Sequence, residues 1–60
     1  MYPLANIIEN RAEQVARYGF GDDARRLVHL TRIAKRNGYP PEIINHAISA
    51  GVARVRLALN

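Results

Sequence analysis

Arg25, His29, Arg32 and Arg36 recur at the spacing i, i+4, i+7, i+11. On an α-helix that spacing gathers four side chains into one row along a single face. Arg26 and Lys35 lie further round the same segment, and no acid interrupts the row after Asp22 and Asp23. The chemistry open to such a row is the recognition of anions. A guanidinium group presents a planar fork of donors that matches phosphate or carboxylate oxygens two at a time. Arg25, Arg26, His29, Arg32, Lys35 and Arg36 are therefore the candidate nucleic-acid-binding residues. An ordinary solvated helix face has the same pattern, and a GC-rich coding sequence also enriches arginine, so the row alone does not decide its own use.

Other chemistry finds little support. Ser49 is the single serine, and His46 lies three residues before it, within reach on a helix. No acid stands near His46 in sequence to orient it, and a nucleophile needs both an activating base and an orienting group. The chain has no cysteine and two histidines, His29 and His46, with no metal-ligand spacing. Gly19 and Gly21 do not match a phosphate-binding glycine loop. The expectation is a non-enzymatic protein with no cofactor, no metal and no small-molecule substrate.

The elements that must position the row follow from punctuation. Tyr18-Gly19-Phe20-Gly21 and Asn37-Gly38-Tyr39-Pro40-Pro41 each place glycine where a helix would end, and the second adds prolines tolerated only in a first helical turn. Three helices are predicted, at about 3–18, 22–36 and 41–59, with no strand pattern. The fold class is all-α, a compact three-helix domain covering residues 1–60.

In the first helix Leu4, Ile7, Ile8, Val15 and Tyr18 share a face flanked by Ala12, while Asn6, Glu9, Asn10, Glu13 and Arg17 fall opposite. Arg11 breaks the apolar face. Its stem is expected to pack while its head reaches the edge, with a buried pair to an acid or a contact across an interface as the alternatives. In the second helix Asp22 or Asp23 is the expected N-cap, and both favour the positive end of the helix dipole. Leu27, Leu30 and Ala34 form its inner face, with Val28 and Ile33 at the margins.

The third helix is apolar round most of its circumference. Ile44, Ile48, Val52, Val55 and Leu59 make one stripe, Ile43, Ala50 and Leu57 a second, and Ala47, Gly51 and Ala58 lie between. A helix of that kind must be covered on most sides. Either the first two helices wrap it as a central helix, or a second chain covers what they leave. The narrow apolar face of the second helix favours the second chain. A homodimer through helix 3 is expected, with Ile43, Ala47, Ala50, Gly51, Arg54 and Leu57 at the interface. Ala47 and Gly51 would let the partner helix approach closely.

Size points the same way. A chain of 60 residues buries only about 60% of its unfolded surface, and without disulfides or a metal such chains commonly gain stability by association. No stretch of about 18 uncharged apolar residues exists to span a membrane. Met1 to Asn6 shows no basic stretch followed by an apolar run, so a cytoplasmic location is expected. The net charge of +4 and eight arginines among nine basic residues suit a polyanionic partner.

Two functions compete. In one, a small homodimeric regulator binds DNA or RNA through the basic face. The order helix, short turn, basic helix has the outline of a helix-turn-helix unit, although the first helix is long and carries Glu9 and Glu13, which DNA would repel. In the other, the chain is a modulator, an inhibitor or adaptor of a regulatory protein, acting through helix 3. An amphipathic membrane-surface peptide is a weaker third reading, because the polar strip of helix 3 has few charges.

Overall fold

The computed structural model describes residues 2–19 and 21–59, with Leu59 described for its backbone alone. Three α-helices follow one another: α1 (Pro3–Tyr18), α2 (Asp22–Arg36) and α3 (Pro41–Leu59). No strand occurs among the described residues. The helices coincide with those read from glycine, proline and apolar periodicity. The expected place of Phe20 in the first turn, and of the Leu59 side chain in the α3 stripe, lies outside the described residues.

Each helix end has a local cause. Pro3 occupies the first turn of α1, where its missing N–H leaves nothing unpaired. Gly19 closes α1 by donating its N–H to the Val15 carbonyl at 2.7 Å. The α2–α3 turn is a Schellman cap: the Tyr39 N–H donates to the Ala34 carbonyl at 3.0 Å and the Gly38 N–H to the Lys35 carbonyl at 3.1 Å. Gly38 takes φ +82° there, a left-handed conformation open to glycine without steric cost. The apolar contact that accompanies this cap joins Tyr39 and Ala34, both buried in one cluster. The Pro40 carbonyl then accepts from Ile43 and Ile44 to begin α3.

One expectation about the helix starts is corrected. Gly21, not an aspartate, is the N-cap of α2, and no side chain caps it. Asp22 and Asp23 sit inside the first turn, where their charge still meets the positive end of the dipole. The start of α1 is capped from a distance: the Leu4 N–H donates to Tyr39 Oη at 2.8 Å. The two rings Tyr2 and Tyr39 meet at a centroid distance of 4.9 Å and a tilt of 59°.

The central helix is α1. It packs along α3 and against α2, while α2 and α3 hardly meet. Hence α3 is not wrapped by two helices, which was one of the two arrangements expected. The packed strip on α3 runs through Ile44, Ala47 and Gly51, all buried. Ala47 and Gly51 belong to the small-residue strip between the two apolar stripes, and Ile44 to the first stripe beside it. Gly51 is seated on α1: a Cβ there would come within 2.8 Å of the Ala12 methyl, 2.9 Å of the Glu13 nitrogen and closer still to the Glu9 carbonyl oxygen. Ala47 and Gly51, expected to admit a second chain, are thus occupied by α1 of the same chain.

The core is thin. The buried apolar residues described are Ile8, Ala12, Ala34, Tyr39, Ile44 and Ala47, and Ile8 alone is a large side chain wholly buried. Three of these six are alanines, so close backbone approach replaces bulky side-chain contact as the source of dispersion energy. Leu4, Leu27, Leu30, Ile43 and Ile48 pack partly against this centre. Ile7 and Tyr18, assigned to the inner face of α1, lie exposed, Tyr18 at 70%. They sit on the edge of the face away from Ala12, beyond the reach of α3.

Candidate functional site

Seven of the eight arginines divide into two populations, and the eighth, Arg56, is exposed on α3 without an ion-pair partner among the described residues. Three of the seven lie in ion pairs, and two of these three join helices. Arg11 Nη1 donates to Asp23 Oδ1 at 2.6 Å, joining α1 to α2, and to Gln14 Oε1 at 3.3 Å. Its stem leaves the inner face and its head reaches the edge of the helix interface, where it meets an acid in a partly exposed pair and not a buried one. Arg17 pairs with Glu13 at 3.1 Å one turn away on α1. Arg54 reaches from α3 to α1, where its Nη1 donates to Asn10 Oδ1 at 2.9 Å and Glu13 Oε1 at 3.0 Å, and its Nη2 pairs with Glu9.

Arg54 was expected at an interface between chains. It lies at an interface within the chain, because Glu9 and Glu13, placed by periodicity on the solvent side of α1, flank the α1–α3 contact. Glu9 and Glu13 are each held by a guanidinium and are half-buried at the seam.

The second population is on α2. Arg25, Arg26, His29, Arg32, Lys35 and Arg36 are all exposed. None takes part in an ion pair among the described residues. Leu27, Leu30 and Ala34 turn inward to the core, and the helical period then places Arg25, His29, Arg32 and Arg36 on the opposite side. The two acids of α2 are both in its first turn, and Asp23 is paired with Arg11. Beyond that turn no acid interrupts the outer face of α2, where Arg25, Arg32 and Arg36 carry the positive charge.

Periodicity did not reveal the neighbour of this row. Val28, assigned to the margin of the core face, is 50% exposed. Together with Ala24, Arg25, His29 and Arg32 it lines an open groove on the outer side of α2. The signal was present as a β-branched residue between two arginines, but position on a helical wheel cannot say how far the adjacent helix extends.

The remaining candidates are distributed as follows. Ile43 and Ala50 are half-buried, Ile43 against the core of its own chain, and Leu57 is 74% exposed, so the chain covers the second stripe of α3 in part and leaves its C-terminal end open. His46 and Ser49 are both exposed on α3, and no hydrogen bond joins them among the described residues. No group of three or more histidine, aspartate or glutamate side chains gathers among the described residues. No described helix is long and apolar enough to cross a membrane. No protein-family model matches the chain, and neither the curated proteins nor the solved structures contain a match.

Proposed function

We propose that this chain is a small non-enzymatic regulator that binds the phosphate backbone of a nucleic acid through the outer face of α2. One observation carries the reading. Arg25, Arg26, Arg32, Lys35 and Arg36 stand exposed on α2 without an ion-pair partner among the described residues, whereas Arg11, Arg17 and Arg54 are paired with the acids of α1 and α2. Unneutralised cations in register along a rigid helix create a local field that attracts a polyanion, and each phosphate contact releases counterions. A gel shift on a mixed-sequence duplex at about 50 mM salt tests this. Binding is expected, and changing Arg32 and Arg36 together to glutamate abolishes it with helical content intact. Absence of binding by the unmodified chain overturns the reading.

Two copies are proposed to associate through the outer stripe of α3. The thin core and the exposed Leu57 favour it, since a second copy would cover Ile43, Ala50 and Leu57 and add the apolar burial that so short a chain lacks. Ala47, Gly51 and Arg54 drop out of that interface because α1 uses them. Association by a two-fold axis would present two α2 faces to one partner. The same stripe also suits the second reading, a cytoplasmic inhibitor or adaptor that seats a regulatory protein. Recovery of one protein in a nuclease-resistant complex, with no nucleic acid bound, would favour it.

A further inference from the structure

The open groove on α2 joins two apolar side chains to two arginines and a histidine. The apolar pair is Val28 and Ala24, and the others are Arg25, His29 and Arg32. Among the exposed large apolar side chains, Val28 is the one that lines this groove beside arginines. Valine is a poorer helix former than the straight-chain residues that a solvated face prefers. The partner that fits this face carries an apolar group between anionic ones.

We infer that the partner is B-form duplex DNA, with α2 lying in its major groove and Val28 against the methyl group of a thymine. This rests on the nucleic-acid reading above and narrows it to one class. The major groove of B-DNA is about 12 Å wide and admits an α-helix, phosphates line both its edges, and the thymine C5-methyl is the apolar group on its floor. Duplex RNA offers neither feature, because its A-form major groove is too deep and narrow and uracil lacks the methyl. Sequence-tolerant single-strand binding relies on aromatic stacking platforms, and α2 contains no Phe, Tyr or Trp.

The fold leaves α2 free to enter. It is held by α1 along its inner face and hardly touches α3, so it stands at the side of the molecule. At 1.5 Å per residue, Arg25 and Arg32 lie about 5 to 6 Å along the axis on either side of Val28. That spacing lets them reach guanine edges or phosphates flanking the thymine. Lys35 and Arg26 project from opposite flanks of α2 and reach the phosphates of the two strands.

The test compares three probes at about 50 mM salt: an alternating d(AT) duplex, the same duplex with deoxyuridine in place of thymidine, and an alternating r(AU) duplex. The unmodified chain is expected to bind the thymine duplex about fourfold more tightly than the uracil DNA, the value of one buried methyl. It should bind the RNA duplex more weakly than either. Val28→Ala, a change at an exposed position, brings the ratio of the two DNA duplexes close to one without altering the salt dependence. Equal affinity of the unmodified chain for the two DNA duplexes overturns the inference. So does a Val28→Ala variant that keeps the ratio, or an RNA duplex bound as tightly as DNA. In each of these cases salt-dependent binding through α2 still stands. If no probe is bound at all, the inference and the nucleic-acid reading fall together.

Discussion

Gly51 and Ala12 face each other where α3 crosses α1, and no atom can be added between them: a Cβ on residue 51 would stand 2.8 Å from the Ala12 methyl. The contact lets two helices approach through their smallest residues in a protein whose core is otherwise thin. Gly51→Ala therefore sets two effects against each other. Alanine gains about 1 kcal/mol of helix propensity over glycine. Overpacking against a helix backbone costs about 1–3 kcal/mol, and the neighbouring atoms here are mainly backbone that cannot turn aside. Because the closest atoms are backbone, the cost outweighs the gain, and a net destabilisation of up to about 2 kcal/mol is expected in urea unfolding. A more stable Gly51→Ala protein would show that the crossing is looser than the geometry implies.

Tyr39→Phe keeps the ring in the core but removes the acceptor of the Leu4 N–H. The loss should be about 0.5–1.5 kcal/mol, the net value of one hydrogen bond. For a chain of this size that corresponds to a fall in Tm of several degrees, read by circular dichroism. An unchanged Tm would mean that water replaces the phenol at the start of α1 without cost.

The Arg11–Asp23 pair is only partly buried, with about a quarter of each side chain or slightly more exposed. A double-mutant cycle on Arg11→Gln and Asp23→Asn should yield a coupling of about 0.5–1 kcal/mol, discounted for screening, and smaller at high salt. A coupling indistinguishable from zero at low salt would remove this pair from the forces that hold α2 to α1.

Salt dependence reads the cationic face directly. If the five unpaired cations of α2 each neutralise one phosphate, the logarithm of duplex affinity should fall with the logarithm of salt at a slope of about −4 to −5. Changing Arg36 alone to glutamine should make that slope shallower by about one. A nearly flat slope in the unmodified chain would argue against phosphate contact.

Leu57→Glu tests association separately. The residue is exposed in the single chain, so the monomer fold should tolerate the change while a dimer through the outer α3 stripe should not. Sedimentation is expected to report a dimer for the unmodified protein and a monomer for Leu57→Glu. A well-folded unmodified monomer at high concentration would reject the interface, and a concentration-dependent Tm lost in the variant would support it.

Local chemistry was enough to mark out the three helices. Glycine and proline ended and restarted them at sites where backbone conformation is a property of a few neighbouring residues, and the row Arg25, His29, Arg32, Arg36 followed from helical period alone. The tertiary structure decided which surfaces stayed free. Periodicity orders side chains around one axis but cannot say which neighbour approaches, from what side, or how far it runs. Hence the solvent side assigned to Glu9 and Glu13 became a seam closed by Arg54, and the small strip of Ala47 and Gly51 was filled by α1. Val28 was left in the open among arginines, because α1 supports only the inner face of α2 and α3 does not reach round to its outer one.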